Sequence, residues 1–302
     1  MPAPRCGRGG TMGRFQARAL GLLLLLAGCQ PVSVNGPADI LEPSNYRNWS
    51  PQFSRLPWAT MLPDGRIEVA NVRDNSYLTE NDFVPRYETR TFLLDDIRSV
   101  DFVVVPFQGA EFMAHTMLSF GMRDGQYLSV SAEIRTEKGE TYSPVLGLAR
   151  QYELTYVIAD ERDLIRLRTG PRQSDVYLYR TIATPQQAQA LFLDMLQRSN
   201  QLANRPEFYN TITNNCTTNV LNHVNHLKQH RIHYSWQVLL PGYSDELAWQ
   251  QGLLDRRVPF EQLKHQAWIN DLAARYYDDP QFSLRIRQRI GVGSLATPPL
   301  YR

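Results

Sequence analysis

The chain has 302 residues, 43% hydrophobic and 21% charged, a balance that excludes both a disordered chain and a polytopic membrane protein. Its formal charge of +2 is carried by the N-terminus: residues 1–28 hold four arginines (Arg5, Arg8, Arg14, Arg18) and no acid, so removing them turns 32 bases against 30 acids into 28 against 30, a net −2. No basic excess remains to hold a nucleic-acid backbone, and three cysteines (Cys6, Cys29, Cys216) are too few for a disulfide scaffold.

The N-terminus reads as an export signal. Arginines up to Arg18 precede the apolar run Leu20–Leu26, far shorter than the roughly 20 residues that span a bilayer, and Met12 can serve as the start. The run ends in Leu26-Ala27-Gly28-Cys29, which resembles the lipobox of bacterial lipoproteins. The resemblance implies cleavage before Cys29, a diacylglyceryl group on its sulfur and a lipid anchor in the envelope membrane. Gln30 after the cysteine points to the outer membrane. Residues 29–45, rich in Pro, Gly and small polar residues, read as a flexible tether; 46–296 as one α+β domain; and 297–302, with Pro298 and Pro299, as a loose tail.

Strand signals occupy Phe102–Val105, Ala114–Met122, Tyr127–Arg135, Glu153–Ala159 and Asp175–Tyr179. Thr184-Pro185 is an N-cap followed by a first-turn proline, opening a helix to about Leu202. A second helix is predicted from Asn215 to His230, with Val220, Leu221, Val224 and Leu227 on one stripe, and a third over Pro259–Tyr276.

Ala114–Arg135 can be read in register. A three-residue Arg123-Asp124-Gly125 loop sets Phe120 opposite Leu128, Leu118 opposite Val130, Thr116 opposite Ala132 and Ala114 opposite Ile134, a mostly apolar face. On the other face Ser119 opposes Ser129, Met117 opposes Ser131, and His115 opposes Glu133. That places a carboxylate beside an imidazole, with Ser131 or Ser129 as alternative orienting groups; an incidental cross-strand pair is the competing reading.

Cys216 follows Thr213-Asn214-Asn215, residues that cap helices, and so falls in the first turn. Unpaired N–H groups and the helix dipole there stabilise a thiolate, the nucleophilic form. The backbone N–H groups near Cys216 and Thr217 are a candidate oxyanion hole, with Asn214 and Asn215 as helpers or caps. His223 is seven residues away, about 10.5 Å of helix rise, too far to act as the base; His115 and His265 remain. His223, His226, His230 and His233 form one stripe if the helix continues, and zinc is a separate reading of them; no Asp or Glu lies between Cys216 and His233.

A histidine on a strand, a polar partner on the next and a cysteine opening a later helix is papain-like chemistry in permuted order. It resembles the circularly permuted NlpC-type enzymes, including the lecithin–retinol acyltransferase group. More closely, Ala114-His115-Thr116-Met117-Leu118-Ser119-Phe120-Gly121, Glu137-Lys138-Gly139-Glu140-Thr141-Tyr142-Ser143-Pro144, Arg150-Gln151-Tyr152-Glu153, Glu207-Phe208-Tyr209-Asn210, Asn214-Asn215-Cys216-Thr217-Thr218 and Leu240-Pro241-Gly242-Tyr243-Ser244-Asp245 resemble the Lnb N-terminal periplasmic domain family. The resemblance implies an antiparallel sheet packed against the cysteine-bearing helix, Cys216 as nucleophile and His115 as base. Tyr142, Arg150, Tyr152, Tyr209 and Asn210 become candidate pocket residues by family match. It implies no cofactor, and lipoprotein, phospholipid or peptidoglycan as substrate. The readings left open are a cysteine acyltransferase or hydrolase, an NlpC-type amidase, and a non-catalytic anchored envelope protein.

Overall fold

A computed structural model describes residues 42–228 and 230–290. The lipobox with Cys29, most of the tether and the tail lie outside the described residues. The described chain is hydrogen-bonded to the domain from Ser44 onward: Ser44 N donates to Glu153 (3.0 Å), and the Asn45 amide to the carbonyls of Leu202 and Ala203 (3.0 and 2.8 Å).

Strands β1 (Trp58–Met61), β2 (Arg66–Arg73), β3 (Ser76–Tyr77), β4 (Phe83–Val84) and β5 (Tyr87–Leu93) lead into the long strands β6 (Ile97–Phe107), β7 (Ala110–Met122) and β8 (Tyr127–Arg135). Helix α1 (Pro144–Leu148) precedes β9 (Glu153–Asp160), which runs straight into α2 (Glu161–Thr169). After β10 (Tyr177–Arg180) the rest is helical: α3 (Pro185–Asn204), α4 (Cys216–Leu227), α5 (Trp236–Leu239), α6 (Ser244–Gln250), α7 (Phe260–Ala267), α8 (Asn270–Arg275) and α9 (Phe282–Arg285). The main sheet runs β1-β2-β9-β8-β7-β6-β10, with β5 also on β2. Its pairs are antiparallel except for one parallel contact, Arg73 with Ala159, where β2 meets β9.

Both faces are covered. On one, alternate residues such as Phe102, Leu118, Phe120, Leu128, Val130 and Tyr156 meet the apolar stripe of α3 (Ala188, Leu191, Phe192, Met195, Leu196) and Val220 of α4. Phe192 is fully buried, with its ring 4.9 Å from that of Phe120, edge to face; burying such a side chain contributes about 2–3 kcal/mol. On the other, Val103, Val105, Met117, Val157 and Ala159 meet Leu164 and Ile165 of α2, Leu272 and Ala273 of α8, and Phe282.

The hairpin takes the expected register: Phe120 pairs with Leu128, Ser119 with Ser129 and Leu118 with Val130, while Gly125 closes the loop at φ +83°. The ladder then stops. Below Leu118 β7 stays paired with β6, and below Val130 β8 stays paired with β9, so the two strands part and the expected backbone pairing of His115 with Glu133 does not form. Helix α4 packs against both strands where they separate.

Two helix boundaries differ from the sequence reading. The segment Pro259–Tyr276 is two helices, because the backbone at the break belongs to β10: Trp268 bridges Tyr177, and Ile269 N donates to Val176 O (3.1 Å). Helix α4 ends at Leu227, short of His230. The Asn225 side chain bonds both the N–H and the C=O of Ile232 (2.7 and 3.0 Å) and folds the chain back, which leaves His230 and His233 outside the helix.

The polar face of the hairpin is not solvated. Ser129 donates to Ser119 (3.2 Å), Ser119 to Glu161 (2.6 Å), and Arg287 spans Glu161 (2.8 Å) and Asp101 (2.7 Å), with its guanidinium over the Tyr127 ring (3.5 Å). Asp101 and Glu161 are fully buried; Glu161 depends on Arg287, while Asp101 also pairs with the partly exposed Arg180 (2.7 Å). Arg287→Ala should therefore cost about 3–5 kcal/mol, because it strands the buried Glu161 carboxylate and leaves Asp101 with Arg180 alone. The half-exposed Arg285 pairs with Asp279 at 3.4 Å, and Arg285→Ala should cost less than about 1 kcal/mol. Urea unfolding of the two variants checks the contrast.

Candidate active site

Cys216 is the first residue of α4, and its position is fixed by the residues before it. The Asn215 side-chain oxygen accepts from Thr218 N (2.8 Å) while the Thr218 hydroxyl accepts from Asn215 N (2.8 Å), a reciprocal cap. The Asn215 amide nitrogen donates to Thr211 O (2.7 Å), so its carboxamide is spent on the cap and the preceding loop. Asn214 pairs with Asn210 through both backbone groups (3.0 and 3.1 Å), donates to Phe208 O (3.0 Å), and accepts from Asn219 (3.0 Å). These asparagines hold the helix start. The Thr217 hydroxyl bonds that of Thr116 on β7 (3.1 Å), and the sulfur lies 3.9 Å from Ala114 O, which docks the first turn onto the strand that carries His115.

The gap between β7 and β8 brings the other groups in. His115 Nε2 is 2.7 Å from Ser131 Oγ and 3.2 Å from Glu133 Oε1. Ser131 gives its only hydrogen to Glu133 (2.8 Å), so Nε2–H is the donor toward both residues. With Nε2 engaged by Ser131 and Glu133, the charge of the imidazole acts on the neighbouring Cys216 thiol. Glu133 Oε1 also accepts from Arg168 of α2 (3.0 Å), a buried guanidinium that donates to Leu164 O as well (3.0 Å). The result is a continuous chain from Arg168 through Glu133 and His115 to Cys216. His265, the other candidate base, sits exposed on α7.

The electrostatics follow from this chain. Burial alone would push the thiol up, but the charge and hydrogen bond of His115, the Thr116 N–H and the Thr217 hydroxyl outweigh it and bring Cys216 down to about 7. Burial works against the imidazolium too, yet Glu133 and the thiolate raise His115 to about 9. Glu133 is buried, which opposes ionisation, but His115, Arg168 and Ser131 hold it well below the usual carboxylate range. Between about pH 7 and 9 the site is therefore a thiolate–imidazolium pair backed by a carboxylate.

The remaining candidates take different places. The hydroxyls of Tyr142 and Tyr209 bond each other and feel the Cys216 charge; burial raises both. Tyr152 is buried, and its hydroxyl donates to Thr141 O (2.7 Å) and accepts from Ser143 N (3.0 Å), so it shapes the loop bearing Tyr142. Arg150, at φ +60°, lines an open polar groove with Tyr209, Asn210 and Asn214. On the opposite side of the helix start, Thr217, Val220, Leu221 and Val224 of α4 line a cavity of about 280 Å³ with Phe102 and Leu118. Gly242 lets the Pro241–Tyr243 turn press onto β7, since a Cβ there would sit 1.9 Å from Glu111 O. Arg168 was not among the sequence candidates; its one signal is an arginine at the end of a charged helix, which by itself reads as solvated surface.

A buried cysteine opening a helix beside a strand-borne histidine and its carboxylate defines a mixed α/β protein with a thiol site. Residues 83–242, more than half of the chain, match the Lnb N-terminal periplasmic domain. The chain belongs to that family, whose members are periplasmic domains. No curated protein and no solved structure is significantly similar to it. Among the described residues no helix is long and apolar enough to cross a membrane.

The ionisation scheme fixes a pH profile. Alkylation of Cys216 by iodoacetamide should reach half its plateau near pH 7, fall about tenfold per unit below that, and stay level above it, because the thiolate is the reacting form. Glu133→Gln removes the charge that supports the imidazolium and should move the midpoint upward by about one unit or more. Rates measured from pH 5 to 10 check both outcomes.

Proposed function

We propose that this chain is a lipid-anchored periplasmic enzyme of the permuted papain-like type, which transfers acyl groups through a thioester on Cys216. The observation that carries the reading is the Arg168–Glu133–His115–Cys216 chain, which holds a thiolate at a helix N-terminus against an oriented imidazolium. The Cys216 thiolate attacks an ester carbonyl, and the electron pair moves onto the carbonyl oxygen, where the N–H groups of the first turn at Cys216 and Thr217 act as oxyanion donors. Collapse breaks the ester C–O bond, and His115 gives its proton to the departing alcohol. An amine or water then attacks the thioester, His115 takes the proton back, and the thiolate leaves.

The apolar cavity beginning at Thr217, next to the nucleophile, favours an acyl chain as the transferred group. Lipidation of Cys29 would keep the domain at the membrane where such esters reside; two acyl chains suffice for stable anchoring. A second reading, an NlpC-type amidase acting on a peptide of the cell wall, is favoured by the polar groove that Arg150, Tyr209, Asn210 and Asn214 line beside the helix start. In it the same residues act on an amide, and His115 protonates an amine.

Intact mass spectrometry separates the readings. After incubation with diacylated lipoprotein or phospholipid, the chain should gain one acyl mass that hydroxylamine removes and that Cys216→Ala lacks. Acylation persisting in Cys216→Ala overturns the proposal, as does an unmodified chain whose thiol still alkylates. Release of muropeptides from cell-wall sacculi, without acylation, replaces it with the amidase.

A further inference from the structure

A second cluster of ionisable groups sits at the far end of α4. Asp194 Oδ2 of α3 lies 2.6 Å from His223 Nδ1 and 2.9 Å from His226 Nδ1. One ligand atom from each of the three residues lies within 4.8 Å of the other two. The spacing of three puts both imidazoles on one face of α4. The carboxylate comes from the neighbouring helix, which is why no Asp or Glu near the histidines in sequence marks the site. Exposure is graded: the His223 side chain is 4% exposed, Asp194 25% and His226 58%, so the cluster has a fixed inner member and an outer one open to solvent.

Hydrogen-bond accounting on the inner side says which nitrogen of His223 carries hydrogen. Its Nε2 is 2.6 Å from the Tyr156 hydroxyl, which also lies 3.2 Å from Asn219 Oδ1. The Asn219 orientation is fixed, because its amide nitrogen donates to Asn214 Oδ1 (3.0 Å) and Asn215 O (2.8 Å). Oδ1 can only accept, and when the single phenolic hydrogen is directed at it, Nε2–H of His223 donates to the phenol oxygen. A neutral His223 then presents a bare Nδ1 lone pair to the Asp194 carboxylate at 2.6 Å. Two acceptors at that distance require a positive centre between them. This is the arrangement of a metal-ligating histidine, whose outer nitrogen donates to a partner that fixes the ring.

We propose that Asp194, His223 and His226 form a site for a divalent transition-metal ion, with Zn²⁺ the best chemical match. Two imidazole nitrogens and one carboxylate oxygen make a three-ligand set, leaving the fourth position to water on the His226 side. With bonds of about 2.0–2.1 Å, tetrahedral ligands sit about 3.3 Å apart, so Asp194 draws back roughly half an ångström from its hydrogen-bonded position to admit the ion. His223 lies about 10.5 Å along α4 from Cys216, beyond reach of the sulfur. The ion would clamp α3 to α4, the helix that carries the nucleophile, and takes no part in the thiol chemistry.

The test uses the full chain carrying Cys6→Ala, Cys29→Ala and Cys216→Ala, which removes the competing thiols. Titration with ZnCl₂ in a calorimeter should give one ion per chain together with a raised Tm, and MgCl₂ should do neither. His226→Gln alters an exposed side chain and leaves the fold intact; it should weaken zinc binding about tenfold or more, as should Asp194→Asn. His230→Gln with His233→Gln, both outside the helix, should change nothing. Absence of zinc binding, the result expected if His223 is an imidazolium paired with Asp194, overturns the proposal. So does stoichiometric binding that survives His226→Gln. Neither outcome bears on acylation at Cys216.

Discussion

The structure around the thiol depends on one buried carboxylate. Glu133 Oε1 accepts from Ser131, His115 and Arg168, and each of those donors is useful only because the carboxylate stays charged. Removing a carboxylate from water is costly, and here the cost is offset by two cations and a hydroxyl converging on one oxygen. The consequence reaches the sulfur indirectly. A fixed negative charge favours the imidazolium, and the imidazolium favours the thiolate, against the burial that opposes both. The backbone makes room for this by letting β7 and β8 diverge below Leu118. Were the ladder continued, the two strands would keep His115 and Glu133 as a cross-strand pair with no opening for α4.

The same strategy recurs elsewhere on the face of the sheet that α2 covers. Arg287 between Asp101 and Glu161, and Arg73 between Asp163 and the 51–53 turn, are buried ion pairs that add little net stability over an apolar packing. Their geometry is what they contribute. Glu161, Asp163 and Arg168 all lie on α2, and their ion pairs to Arg287 (itself paired with Asp101 of β6), to Arg73 of β2 and to Glu133 of β8 fix its rotation about its own axis. That rotation sets where the Arg168 guanidinium meets Glu133. A helix held by leucines alone could turn by a fraction of a residue at little cost; one held by three ion pairs to three different partners resists it.

Local patterns made part of this legible from the chain. The hairpin register followed from apolar residues falling opposite one another around Asp124-Gly125, and the start of α4 from the capping residues before Cys216; both depend on neighbours within a few positions. The separation of β7 and β8 was not legible, because it is imposed by a helix a hundred residues later. Arg168 was missed for a related reason: Asp160–Arg168 alternates acids and arginines and reads as solvated surface, yet Glu161, Asp163 and Arg168 are all buried. Strands β1, β2 and β5, at one side of the sheet, carry mixed sequences such as Arg66–Arg73, whose alternation breaks at Asn71 (φ +59°), where the register shifts and Val72 and Arg73 are both buried, and gave no strand signal. The single helix expected over Pro259–Tyr276 failed at Trp268–Ile269, where a tertiary bridge to β10 overrides a continuous helical pattern.

Helix α4 is used on three sides, and its sequence shows how they stay compatible. Cys216 is at the N-terminus, where the dipole favours an anion. Thr217, Val220, Leu221 and Val224 form the apolar stripe that walls the cavity. Asn219, His223 and His226 form a polar stripe toward β9 and α3. Asn219 belongs to both ends, because it bonds Asn214 and Asn215 in the loop before Cys216 and Tyr156, which contacts His223, beyond it. A single amide thus connects the cap that positions the sulfur to the histidine cluster one turn further on. Any shift of α4 along its axis would strain the two together, so the contacts at the far end of the helix help hold the thiolate in register with His115.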